Sequence, residues 1–436
     1  MRGKEYIHGY IHAPVISFEA DIIDFIRNKY SHQIWTLIHA GFFFLINGNQ
    51  RFTKGAHMQN GTTSPITSGL EGVVAAETRL SSVNGQIGEL IIAGFAVEEL
   101  ANKATFEETA YLLWYGRLPD QAELIDFKAR LVTLRPLPPA TLQLLKAAAT
   151  EKVPAMDALR MAAGTLNLGL SDSHEEAALA LTARFPTIVA AYWRLLHGQE
   201  AIEPDPTLDH AANYLTMLNG KRPSVAQIRG LETYLNTVVD HGLNASTFAA
   251  RVIIATQSDM ISAVVGAIGA LKGPLHGGAP GPALDMVFEI GSADRAESYL
   301  RAKLERGERL MGFGHRIYKV RDPRAEVLAQ AAAQMFQAGE DMTLYELVKS
   351  VERTAVSLLA EYKPGRNLQT NVEFYTALLL HGLGLENDLF TPTFAIGRVA
   401  GWIAHCFEQV KYGRLIRPQS AYVGERDRKW LPLQER

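Results

Sequence analysis

The chain has 436 residues, room for two or three domains of ordinary size. Its 43 basic and 46 acidic residues leave a formal charge of −3, which gives no electrostatic basis for nucleic acid or an anionic membrane as the main partner. With 47% apolar and 20% charged residues the composition is that of a globular protein. The single cysteine, Cys406, excludes a disulfide framework and a Cys-rich zinc site and fits a reducing, cytoplasmic setting.

Residues 1–57 differ from the rest. They hold 10 of the 38 aromatic residues and 5 of the 13 histidines, but only two leucines, Leu37 and Leu45. The most lipid-like run, residues 34–46, is 13 residues long and contains His39, whereas a span needs about 20 apolar residues, so no membrane helix is expected. Acidic residues precede the run and no small-x-small cleavage site follows it, which argues against a signal peptide. The segment reads as a dispensable N-terminal extension, with Met58 a second candidate start. The other reading is an aromatic arm packed on a partner subunit.

From Gly69 onward helix signals follow one another. Thr105 and Glu108 form a capping box ahead of an apolar run that Gly116 is placed to stop. Ser224 and Gln227 form another, Asn244 restarts the chain, and Ser258 is placed to cap an Ala/Ile/Val-rich segment ending near Lys272. Asp322-Pro323, a Thr343–Glu346 box and Thr391-Pro392 mark three more starts. Alternating strand patterns are almost absent, so the expected fold class is all-α with little or no sheet.

Four islands interrupt this pattern. In residues 273–278 (GPLHGG), glycines around His276 allow close approach of backbone to a ligand, although such loops are also plain turns. Residues 312–324 (GFGHRIYKVRDPR) are not a dinucleotide fingerprint, because Ile317 holds the third glycine position. Arg324 falls in the first turn capped by Asp322, where free N–H groups and a guanidinium suit a carboxylate; pairing of Arg324 with Asp322 is the alternative. Residues 371–375 (NVEFY) open an apolar helix with Glu373 at a position that also complements the helix dipole. Arg398, Trp402 and His405 share one helix face, with His405 read as a packed histidine, and Arg414 and Arg417 follow before Pro418. His241 sits at a break in residues 240–244 (DHGLN). A zinc site would need His241, His276 and His315 to converge without any short ligand spacing, so no metal is expected.

Together with residues 69–73 (GLEGV) and 106–119 (FEETAYLLWYGRLP), these islands resemble the citrate synthase family over roughly residues 69–425. The resemblance implies an almost wholly helical homodimer with the active site in a cleft between two domains. The large domain would comprise residues 58–275 and 381–436 and the small one residues 276–380. It implies condensation of acetyl-CoA with oxaloacetate and water to give citrate and CoA, without a cofactor. Catalysis would fall to His276 on the thioester oxygen, His315 on the ketone and Glu373 as base. Oxaloacetate would be held by His241, Arg324, Arg398 and Arg417, the last from the other subunit. CoA would lie along Lys319, Gly312, Phe313 and Gly314. Glu373 stands where the family usually carries aspartate, and one extra methylene shifts the carboxylate by about a bond length. Two alternatives remain at this level: a 2-methylcitrate synthase using propionyl-CoA, and a silent paralogue that binds CoA or a dicarboxylate.

The composition break yields a first prediction. A chain lacking residues 1–57 is expected to keep its melting temperature, its dimeric state and its activity. Loss of any of these on truncation would make the aromatic segment structural.

Overall fold

The computed structural model describes residues 68–70, 72–277, 281–315 and 317–436. The extension of residues 1–57 and its apolar run lie outside the described residues, as do Gly278 and Arg316 in the two glycine loops. The chain divides into two compact units, Met1–Ala75 and Ala76–Arg436. The described part of the first unit holds a 3-10 turn at Ser68–Leu70 with Gly69 at φ 76°.

The second unit opens with an antiparallel sheet of β1 (Ser81–Asn84), β2 (Glu89–Ile92) and β3 (Phe95–Ala96). Ser81 pairs with Ile92, and Ile92 with Phe95. Strands of four, four and two residues are too short to leave a readable alternation in the sequence. Leu90 and Ile92 nevertheless bury fully.

Sixteen α-helices follow among the described residues. They are α1 (Val97–Leu100), α2 (Phe106–Tyr115), α3 (Gln121–Leu134), α4 (Pro139–Thr150), α5 (Ala155–Ala163), α6 (His174–Leu196), α7 (His210–Asn219) and α8 (Val225–Val238). Then come α9 (Ala245–Ile254), α10 (Met260–Leu271), α11 (Gly281–Ile290), α12 (Ala296–Glu305), α13 (Pro323–Ala338), α14 (Thr343–Tyr362), α15 (Val372–Gly382) and α16 (Phe390–Tyr412). The fold is mainly helical, as the sequence led one to expect.

Local chemistry sets most of the starts. Thr105 and Ser224 form complete capping boxes, and Asn244 accepts from Thr247 N–H. Three starts differ from expectation. Asp259, not Ser258, caps α10, because its carboxylate reaches Ser262 N–H at 2.8 Å. No Thr343–Glu346 box forms. Asp341 instead accepts from Thr343 N–H at 2.9 Å, so the acceptor lies two residues upstream of the helix. Helix α16 begins at Phe390, directly after a 3-10 turn at Asn387–Leu389, and Thr391-Pro392 falls within its first turn.

Two helices organise the packing. Helix α16 lies against α2, α6, α8, α9 and α10, while α13 and α15 pack on each other and on α8. Helix α8 therefore touches both groups, and the segment after it starts the site. Its approach to α16 is very close. A Cβ built on Gly401 would lie 2.0 Å from the Val239 carbonyl oxygen. Gly401→Ala is accordingly expected to cost at least the ~1–3 kcal/mol of an overpacked core, because the obstacle is backbone and cannot rotate away. Differential scanning calorimetry checks this, and an unchanged melting temperature would contradict the contact.

Candidate active site

Four chain breaks converge. The α8–α9 loop brings His241, the α10–α11 loop His276, the segment before α13 brings His315, and the first turn of α15 brings Glu373. Arg324 and Arg398 come from α13 and α16.

His315 stands after Gly312 (φ 85°) and Gly314 (φ 83°), where a side chain would be strained, and a Cβ on Gly312 would meet Phe374 Cδ2 at 2.7 Å. This loop is stitched to the entry of α15. Gly314 N–H donates to the Gln369 carbonyl at 2.7 Å, Asn371 N–H to the Gly312 carbonyl at 3.0 Å, and Phe313 bridges Thr370. His315 Nδ1 accepts from the N–H groups of Ile317 and Tyr318, both at 3.1 Å. The ring proton therefore sits on Nε2, which is left to donate. Burial, with help from Arg324, lowers the imidazole to about 4.

His276 is held through Nε2. Ser246 N–H points at it from 3.3 Å and the Ser246 hydroxyl lies 2.8 Å away. The backbone donor makes Nε2 the acceptor and leaves the proton on Nδ1. Trp402 Nε1 donates to the same hydroxyl at 3.0 Å. Asn244 Oδ1, 2.8 Å from it, competes for its one hydrogen. Burial and then the Arg398 charge lower His276 to about 4.

The two arginines differ in partner. Arg324 is buried and bidentate to Asp322, through Nε at 3.0 Å and Nη2 at 2.8 Å. Burial opposes its charge, but Asp322 holds its pKa above the ordinary value. The pairing leaves Nη1 over for a ligand. Arg398 is 2% exposed and donates Nε–H to the Val238 carbonyl at 2.5 Å. No carboxylate pairs with it among the described residues. Burial lowers it to about 10, so it stays charged at neutral pH.

His241 feels both arginine charges, with its Nε2 3.1 Å from the Tyr318 hydroxyl and its ring 6.2 Å from that of His315. Burial first, then Arg324, Arg398 and His315, push it well below its ordinary value. Glu373 has a half-buried carboxyl with no hydrogen-bond partner among the described residues. Burial raises its pKa; Arg324 moderates this and Asp322 adds to it. The pattern is three neutral histidines and one half-buried carboxyl around two buried arginines, Arg324 paired with Asp322 and Arg398 supported by the more distant Asp240 charge.

Other expected residues sit further out. Lys319 is exposed, and its charge reaches His315. Arg417 is exposed on the irregular segment after α16 and makes no ion pair with the other site residues among those described. His405 is buried, accepting from Arg251 at Nδ1 (3.0 Å) and donating Nε2–H to Asp240 at 3.2 Å. Sequence reading overlooked Ser246, Tyr318 and Asp240. Ser246 alone left a signal, as the second residue after the Asn244 cap, but its tie to His276 spans 30 positions.

Among the described residues no three His, Cys, Asp or Glu side chains are grouped to hold a metal ion, and no helix is long and apolar enough to cross a membrane. The two tautomers can be read directly. Nitrogen NMR of labelled histidine is expected to show neutral rings above about pH 5, with the proton on Nε2 at His315 and on Nδ1 at His276. Imidazolium signals at neutral pH would contradict the geometry.

The family model for the citrate synthase C-terminal domain matches residues 69–419. Citrate synthase 2 of Bacillus subtilis is 41% identical, over 85% of this chain and 99% of its own length. A 2-methylcitrate synthase of Shewanella oneidensis is 39% identical, over 85% and 98%. The ternary complex of Thermoplasma acidophilum citrate synthase with carboxymethyl coenzyme A and oxaloacetate superposes with TM-score 0.76 at 31% identity, covering 86% of this chain and all of that one. Neutral histidines, a free carboxylate and buried arginines thus stand in a chain that belongs to the citrate synthase family, acyltransferases that condense acetyl-CoA with oxaloacetate.

Proposed function

We propose that this chain makes citrate from acetyl-CoA, oxaloacetate and water with the six clustered side chains in distinct roles. The observation that carries the reading is Arg398, a buried guanidinium without an acidic partner, beside Arg324 with an unused Nη1. A dianion between them offsets the cost of burying both charges. Oxaloacetate is such a dianion, with His241 as a further donor or acceptor and the partner subunit's Arg417 completing the set.

Acetyl-CoA brings a weakly acidic methyl group. Glu373, ionised and unpaired, takes one methyl proton, while His276 Nδ1–H donates to the thioester oxygen as the enol forms. The electron pair of the broken C–H bond then joins the methyl carbon to the ketone carbon of oxaloacetate. His315 Nε2–H donates to the ketone oxygen, which becomes the hydroxyl. Water cleaves the thioester, releasing CoA and citrate. Neutral imidazoles suit both donors, because their remaining protons are fixed by backbone hydrogen bonds and need no pH-dependent charge.

Residues 312–314 and Lys319 are assigned to CoA, the former as a backbone segment with two left-handed glycines and the latter through its charge on a phosphate. The large lobe comprises residues 58–275 and 381–436, the small lobe residues 276–380. Leu415, Tyr422, Val423, Trp430 and Leu433, all exposed beyond α16, offer a second copy an apolar surface to cover, which supports a homodimer. A reducing cytoplasm is part of the same reading, resting on the single cysteine of the sequence.

The test follows thiol release from acyl-CoA in the presence of oxaloacetate. Glu373→Gln is expected to lower kcat by roughly 10²–10⁴-fold while oxaloacetate binding stays near wild type. A variant that keeps a tenth of the rate would remove Glu373 from the base role. Run with acetyl- and propionyl-CoA, the same assay is expected to favour acetyl-CoA. A propionyl preference would make the chain a 2-methylcitrate synthase, and release of no thiol from either would refute the reading.

A further inference from the structure

The small sheet of this helical chain meets the site from two sides. The Ser81 hydroxyl, at the start of β1, donates to Asp240 Oδ2 at 2.5 Å and accepts from Gly242 N–H at 2.8 Å. One oxygen therefore spans the two residues that flank His241. At the far end of the hairpin, the Gly85 carbonyl accepts from Lys319 N–H at 2.8 Å. A Cβ on Gly85 would lie 2.2 Å from the Ile317 carbonyl oxygen, and one on Gly88 2.7 Å from Val320 Cγ2. The hairpin thus rests on the segment carrying His241 and on the segment that follows His315. Between its two footings His241 Nε2 meets the Tyr318 hydroxyl.

We infer that Ser81 is a positioning residue for the oxaloacetate site, fixing the orientation of His241 through both of its neighbours. The inference rests on the reading of His241 as an oxaloacetate ligand. The two hydrogen bonds of Ser81 are not equivalent. Asp240 is already held by His405 Nε2–H at 3.2 Å, so its side of His241 keeps an anchor without Ser81. The Gly242 N–H has no second acceptor among the described residues; its carbonyl is tied forward, accepting from Asn244 N–H at 3.0 Å and Asn244 Nδ2 at 3.3 Å. The Gly242 backbone is left-handed, at φ 62°, and the Ser81 oxygen is the acceptor for its N–H. Removing the hydroxyl strands that N–H and leaves Gly242 tied only through its carbonyl. His241 then keeps its Tyr318 contact but loses the one atom that ties both of its neighbours to the sheet.

The experiment compares Ser81→Ala, Ser81→Thr, His241→Gln and the double variant Ser81→Ala/His241→Gln in steady-state kinetics and thermal melts. Ser81→Ala is expected to raise KM for oxaloacetate about tenfold, the scale of one lost hydrogen bond, with KM for acetyl-CoA and kcat within about twofold. Ser81→Thr restores the hydroxyl and is expected to restore KM. On the His241→Gln background the alanine change is expected to add little, because Ser81 acts through His241. Four results overturn the inference while leaving the function intact. They are a wild-type oxaloacetate KM in Ser81→Ala, full additivity in the double variant, failure of threonine to rescue, and a parallel loss of kcat, both KM values and melting temperature. A wild-type KM in His241→Gln is distinct from these: it removes His241 from the oxaloacetate set, and the inference falls with that assignment.

Discussion

The contact of the Val239 carbonyl with α16 at Gly401 governs the site. Three successive residues at the end of α8 each meet α16 one step further along. The Val238 carbonyl takes the Arg398 Nε–H, the Val239 carbonyl occupies the space a Cβ at 401 would fill, and Asp240 accepts from His405. Positions 398, 401 and 405 are three and four residues apart, one stripe of a helix. The stripe therefore acts as a template against which an irregular segment is laid out. His241, next in the chain, is turned toward Tyr318 because its predecessor is committed to α16.

Electrostatics gives that layout its purpose. A guanidinium buried without an acid is costly, and a second one close enough to depress the same histidine adds to the cost. Asp322 neutralises Arg324 alone. Asp240 is buried too, yet its carboxylate is spoken for by Ser81 and His405. Arg398 therefore feels the Asp240 charge from a distance but has no carboxylate in ion-pair contact among the described residues. Burial first, and the arginine charges after it, keep His241, His276 and His315 neutral, the state in which each can donate one fixed proton.

Much of this was legible in the sequence where the physics is local. Capping boxes at Thr105 and Ser224 involve four consecutive residues, and both formed as read. The four islands stood out because glycine, histidine and arginine interrupt apolar helical runs, and their order resembled one family. Illegible were the interactions that join distant segments. Ser258 and Asp259 are equally good caps on paper, and only the register of α10 chooses between them. The sheet escaped notice because its strands are a few residues long. Ser246, Tyr318 and Asp240 lie next to motif residues but gain meaning from partners 30 to 165 positions away. For Arg324 the pairing with Asp322 formed, and it leaves Nη1 unused.

The short ladder between residues 312–314 and 369–371 has a consequence for how the enzyme tolerates change. Through Asn371, whose side chain accepts from Glu373 N–H at 3.0 Å and donates to the Gly314 carbonyl at 3.0 Å, the carboxylate and the His315 ring rest on one piece of backbone. Their spacing is set by hydrogen bonds within that block, none of which involves the loop of His276. A longer acid at position 373 must then be accommodated inside the block, by the path of Asn371 or the seat of Phe374 against Gly312. Segments 312–315 and 369–374 thus make one mechanical unit, in which a change at either strand of the ladder is felt at both Glu373 and His315.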